Sequence, residues 1–182
     1  MAQTIRYMDK ATGVTPATSN TATGAPTAGD ATTNVPADGT YPAITAVHDA
    51  QTVTVESKIT LTAAVDPLAT NDIYVALPLP AYHVPVDCIL CADDIDTGAG
   101  LTMTVAALKQ DFTDIVASTN LITASTVGQA GGVARASVVD GLRLPAVAYP
   151  RWIGIKIAAG AAGLNANAVL SLVFSYRASN GD

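Results

Sequence analysis

The sequence predicts an all-β protein: an antiparallel β-sandwich or jelly-roll-like domain with an extended, low-complexity N-terminal arm. Three observations carry this. Apolar residues make up 49% of 182 residues while aromatics are 5% and charged residues 13%, so the bulk is Ala, Val, Thr, Leu, Ile and Gly, a composition suited to pleated, half-buried surfaces. Segments that alternate apolar and polar residues recur between turn signals built from Gly, Pro, Asn and Asp. No stretch carries a helical stripe, and the Ala-rich run from Ala158 to Leu164 is interrupted by Gly160 and Gly163, which makes it a loop.

The arm comes first. From Ala11 to Thr40 the chain is nearly all Ala, Thr, Gly, Pro, Ser, Asn and Asp, with Val14 and Val35 as its only larger apolar residues. Such a stretch cannot offset its ordering entropy by burying itself. Residues 1–50 therefore read as an arm and residues 51–182 as the sandwich domain. Ile5, Tyr7 and Met8 form a small apolar patch at the far end, with no core nearby in sequence, so they are expected to anchor on a neighbouring subunit. An extended arm of about thirty residues reaches on the order of 90 to 100 Å, an intersubunit distance.

At Gln51 the character changes. Val53, Val55, Ile59 and Leu61 share one face and Thr52, Thr54, Glu56, Lys58, Thr60 and Thr62 the other, which predicts a half-buried strand. Ile73, Val75, Leu77 and Leu79 alternate with Tyr74, Ala76, Pro78 and Pro80; a proline cannot donate to a ladder, so this strand should end early or lie at an edge. Val84 to Ala92 is the most continuously apolar run and predicts a central strand buried on both sides. Beyond an Asp- and Gly-rich corner, Asp93 to Gly100, the segment around Leu101, Met103 and Val105 predicts the next strand. Ile115–Ala117 and Leu121–Ala124 read as two short strands, and Val133–Val139 as a weak one after the Gly131-Gly132 turn. Trp152–Ile157 places three isoleucines opposite Trp152, Gly154 and Lys156. The final strand sets Leu170, Leu172, Phe174 and Tyr176 against Ser171, Val173, Ser175 and Arg177.

Charge narrows the function classes. The formal charge is -6, and the nine basic residues are scattered singly rather than gathered into the stripe that phosphate neutralisation needs, so no direct nucleic-acid partner is expected. The first ten residues lack the apolar core of a signal peptide, and no run approaches the roughly 18 apolar residues of a membrane helix, so the expectation is a soluble product made in a cytoplasm, with no membrane partner.

Candidate chemistry is sparse. Asp96-Thr97-Gly98-Ala99 matches the tetrapeptide of retroviral-type aspartic proteases, but two carboxylates must meet and share a proton, and Asp-Thr-Gly occurs once, so only a dimer would serve. The two apolar residues that such enzymes place before the aspartate are here Asp94 and Ile95. Asp93, Asp94 and Asp96 could instead hold calcium, although the regular ligand alternation of a calcium loop is missing. Cys88 and Cys91 form a lone C-x-x-C with no second pair, and residues three apart on a strand point to opposite faces; two reduced cysteines of ordinary packing are expected, even with His83 close by. His48 and His83 have no G-x-S-x-G partner. No catalytic, metal or cofactor site is expected.

The corner and strand Ala92-Asp93-Asp94-Ile95-Asp96-Thr97-Gly98-Ala99-Gly100-Leu101-Thr102-Met103-Thr104-Val105 is followed by Ile122-Thr123-Ala124-Ser125-Thr126-Val127-Gly128-Gln129-Ala130-Gly131-Gly132-Val133-Ala134-Arg135 and by Ile153-Gly154-Ile155-Lys156. This combination resembles the head decoration, or cement, proteins of tailed bacteriophages, over roughly Ile73 to the C-terminus. The resemblance implies a structural virion subunit on the outer capsid surface that clamps neighbouring major capsid proteins, self-associates as a homotrimer and has no enzymatic activity. On that expectation Ile5, Tyr7, Met8, Val14 and Val35 carry arm contacts, and Tyr74, Tyr149 and Trp152 are aromatic interface anchors. The competing expectations are a tail, neck or host-adhesion component and, remotely, a dimeric aspartic protease built on Asp96.

Overall fold

The computed structural model describes residues 5–8, 52–62 and 68–179. Two sheets face one another. Strands β2 (Val53–Thr60), β9 (Val169–Ala178), β4 (His83–Ala92) and β7 (Gly132–Arg135) form the four-stranded sheet in the order β2-β9-β4-β7. Strands β3 (Ile73–Leu79), β8 (Arg151–Ala159), β5 (Thr102–Leu108) and β6 (Ile115–Ser125) form the other in the order β3-β8-β5-β6, and β1 (Ile5–Tyr7) adds to it beside β3. Every pairing is antiparallel except β1 with β3. Successive strands from β2 to β9 thus switch sheets at every connection except β5 to β6, which is jelly-roll connectivity.

The inward rows are those the alternation predicts: Leu170, Leu172, Phe174 and Tyr176 of β9 meet Met103 and Val105 of β5 and Ile153, Ile155 and Ile157 of β8 in one core. A second, smaller cluster lies on the other face of the β3-β8-β5-β6 sheet, where Ile73, Val75, Leu108 and Trp152 are capped by Phe112. Phe112 sits in the left-handed region at φ 58 and meets Trp152 edge-on at 6.2 Å. That cap buries Ile73 and Val75, while Tyr74, Ala76, Leu77 and Leu79 belong to the main core, and every residue of β3 is buried.

Several expectations change. The β4 strand is central, but its burial alternates, since a sandwich covers one face of each sheet: Cys88 points into the core while Val86 is exposed. The two short strands proposed for 115–124 are a single irregular strand that stays continuous by placing Ser118 and Ala124 at positive φ and shifting register against β5. The weak strand at 133–139 stops at Arg135, and Val139–Leu142 closes one helical turn, α1, whose Gly141 lies against the Asn120 backbone with no room for a Cβ. Strand β3 neither ends early nor lies at the edge along its whole length, because β1 pairs with Ile73–Val75; among the described residues Pro78 has no strand on its outer side.

The patch at the start of the arm joins this chain's own sheet. Ile5, Arg6 and Tyr7 pair with Ile73, Tyr74 and Val75, the Met8 amide donates to Val75 O at 2.8 Å, and the Met8 side chain is wholly buried in the main core. Val14 and Val35 lie outside the described residues, as does the rest of the arm up to residue 51.

Candidate interaction surface

Jelly-roll connectivity sorts the loops to two ends, and the ends differ. One gathers residues 68–72, 93–101, 126–131 and 160–168, which are stitched together by backbone hydrogen bonds: Ile95 and Asp96 amides donate to Gly128 O, Thr97 N to Gly163 O, and Ala161 N to Leu68 O. Asp96 is the knot. Its side chain is 2% exposed and accepts five backbone N–H groups: Gly98 (3.1 Å), Ala162 (2.8 Å) and Gly163 (3.3 Å) on Oδ1, and Gly100 (2.9 Å) and Leu101 (2.8 Å) on Oδ2. Burial acts to raise this carboxyl, but the donors at Leu101, Gly98, Gly163 and Gly100 outweigh it and hold the group at about 2.

A carboxylate that accepts five backbone donors is committed to holding these loops together. The Asp-Thr-Gly here is a structural knot. Its neighbour Asp93 accepts from Val169 N at 2.8 Å, and Asp94 is exposed. Among the described residues no three His, Cys, Asp or Glu side chains converge to hold a metal ion. Cys88 and Cys91 are free and lie on opposite faces of β4, and burial pushes the Cys88 thiol far up.

The opposite end holds the β3–β4 turn, the β5–β6 loop and the long connection from Ala136 to Pro150. Here the surface is open. A cavity of about 390 Å³ is lined by apolar walls from Leu108, Val116, Leu144, Val147 and Trp152, with Lys109, Tyr149 and Arg151 contributing the polar groups. Tyr149 is 45% exposed at its rim. Tyr82, at the tip of the β3–β4 turn, is 62% exposed and held at φ 60 by its amide donating to Val147 O (2.7 Å) and its carbonyl accepting from Ser179 N (2.8 Å). A bulky residue in that conformation carries strain that the two-sided clamp must hold.

Arg151 is unusual. Its Nη2 donates to Pro145 O at 2.8 Å and to His83 O at 3.5 Å, while its buried Nε has no partner. The nearby lysines do have a counter-charge: Asp114 takes Lys156 at 2.7 Å and Lys109 at 3.7 Å. Burial lowers the Arg151 guanidinium from its usual range.

The aromatic anchors proposed from sequence therefore divide. Tyr149 stands at an exposed rim, whereas Tyr74, 1% exposed, is packed in the main core, and Trp152, 6% exposed, packs beneath Phe112 and shows only one side to the cavity wall. Sequence reasoning passed over Tyr82, whose only local signal is its place in the Pro80–His83 turn.

No protein-family model matches the chain, and no curated protein does. Solved structures do. A chain from the capsid of Ralstonia phage GP4 is 34% identical, with a TM-score of 0.62, the match covering 74% of this chain and 90% of that one. A chain from the cyanophage Pam1 capsid asymmetric unit is 23% identical, with a TM-score of 0.56 over 73% and 90% of the two chains, and shares the fold.

Proposed function

This chain belongs to the family of the Ralstonia phage GP4 capsid chain, a structural family of the phage virion, and from that premise we propose that it is a decoration protein. It binds the outer face of a bacteriophage shell, bridges neighbouring major capsid proteins and resists the outward pressure of packaged DNA. The identity over nine-tenths of the GP4 chain is the observation that carries this reading. The chemistry agrees: the acidic motif that suggested an enzyme is used up in holding loops together, and the open end exposes the rings of Tyr82 and Tyr149.

In this reading the sandwich of residues 51–182 is the rigid body and residues 1–50 the arm. Met8 and β1 fasten the start of the arm to its own domain and β2 holds its end, so contacts with a neighbour fall to the stretch between, where Val14 and Val35 are the larger apolar residues. Linking arm and domain contacts makes the second binding event intramolecular and strengthens attachment without tighter individual contacts. Copies self-associate, as a homotrimer, so that each clamp closes around a symmetric position.

The test adds purified protein to particles that lack it, then measures bound copies and resistance to heat. Binding all over the shell with a rise in the temperature of DNA release supports decoration. Binding confined to the tail vertex would make it a tail or neck component instead.

A further inference from the structure

We propose that the open end of the sandwich is the docking end, and that its cavity receives a segment of the capsid protein in which an apolar side chain stands beside a carboxylate. This rests on the decoration reading and names the surface and the ligand chemistry that reading leaves open.

Two features of the cavity are independent and ask for the same occupant. The first is apolar volume: about 390 Å³ walled by Leu108, Val116, Leu144, Val147 and Trp152 accommodates one or two large side chains. Tyr149 on the rim and Tyr82 beside Val147 supply exposed rings of the kind that dominate interface energetics. The second is a cation with no carboxylate partner among the described residues. Arg151 lines the cavity, its bonds go to the carbonyls of Pro145 and His83, and its buried Nε is unpartnered. Carbonyls satisfy donors without cancelling charge, and no carboxylate among the described residues pairs with this guanidinium. A cation drawn partly out of water with no counter-charge is costly in the free protein and becomes favourable when a partner brings the anion.

The charge distribution between the ends points the same way. The described loops of the knotted end carry Asp72, Asp93, Asp94 and Asp96 and no Lys or Arg, whereas the open end carries Lys109, Arg143 and Arg151, with Asp111, Asp114 and Asp140. Asp114 is already shared by two lysines. An acidic segment is repelled by the knotted end and meets no such net charge at the other, where Arg151 has no carboxylate partner among the described residues, which favours one orientation on the shell.

The experiment uses the full chain and phage particles stripped of it. A carbodiimide, which joins an amine to a carboxylate with no spacer, is applied to particles re-bound with wild type, whose Lys109 amine lines the cavity, and with Arg151→Lys. Mass spectrometry should find the amine at position 109 or 151 joined to an Asp, Glu or C-terminal carboxylate of the capsid protein. In parallel, Arg151→Gln and Tyr149→Ser should each weaken re-binding by roughly tenfold or more, while Thr54→Ala, on the exposed face of β2, leaves it unchanged. Thermal unfolding of each free variant confirms that it is folded. Wild type that re-binds while Arg151→Gln and Tyr149→Ser bind equally well, or cross-links from positions 109 and 151 that reach only this chain's own acids, overturns the docking site and leaves decoration standing. Wild type that does not re-bind overturns decoration itself.

Discussion

Replacing Asp96 by Asn tests what the Asp-Thr-Gly motif does. The two residues have nearly the same shape, but an amide has one acceptor oxygen where the carboxylate has two. With the amide oxygen on the Oδ1 side, Gly98, Ala162 and Gly163 keep an acceptor, and the Gly100 and Leu101 amides, now 2.9 and 2.8 Å from the NH2 group, lose theirs. Flipping the amide instead leaves three donors unmet. Two buried donors left unsatisfied at about 1–3 kcal/mol each put the loss near 3 kcal/mol, a fall in Tm of about 6–12 °C for a protein of this size. The pH profile adds a signature. The Asp96 carboxyl is held at about 2 against an ordinary value of 3.8, so its contribution is fully present above about pH 4 and is lost as pH falls through 2. Urea unfolding of wild type between pH 2 and 5 should show this slope, and Asp96→Asn should flatten it. A variant as stable as wild type, with the same acid slope, would falsify the structural role and reopen a catalytic one.

Other outcomes follow from the same geometry. Trp152→Ala should lower stability by about 3–5 kcal/mol, because it empties the cluster beneath Phe112, while Tyr149→Ser should change it by less than about 0.5 kcal/mol; equal effects in chemical denaturation would erase the distinction between packing and rim. Gly154→Ala would place its Cβ 2.6 Å from Leu108 Cδ1 and 2.7 Å from Tyr74 O, so a loss of about 1–3 kcal/mol is expected from overpacking two strands. In thiol titration of the folded protein Cys91 should react and Cys88 should not until denaturant is added; rapid modification of both would contradict the burial of Cys88.

The sandwich was legible because its signal is local. Alternation along Val53–Leu61 and Leu170–Tyr176 states which face is buried, and each of those strands has one covered face and one open one. What the sequence hides is decided by distant partners. Val84–Ala92 reads as doubly buried because Val86, Ile89 and Cys91 are apolar, yet nothing packs fully over that face. Tyr74 and Trp152 look like anchors because an exposed aromatic is written with the same letters as one in the main core, like Tyr74, or one roofed by a loop residue at positive φ, like Trp152. Met8 lies more than sixty residues from Val75, whose carbonyl it meets, so no window along the chain could assign it to the core. Asp96 shows both halves of the lesson. Its Gly98, Gly100 and Leu101 donors are local and were visible as a turn; the Ala162 and Gly163 donors that make it a knot arrive from a loop 66 and 67 residues away.

The central claim is that this chain decorates a capsid shell. A reconstruction of the intact particle at a resolution that separates subunits tests it most directly, paired with the same particle after the protein is stripped off. Decoration requires jelly-roll density repeated over the whole outer surface, seated across boundaries between major capsid proteins, and absent from the stripped shell. Density restricted to the tail vertex, or lying inside the shell, would contradict it.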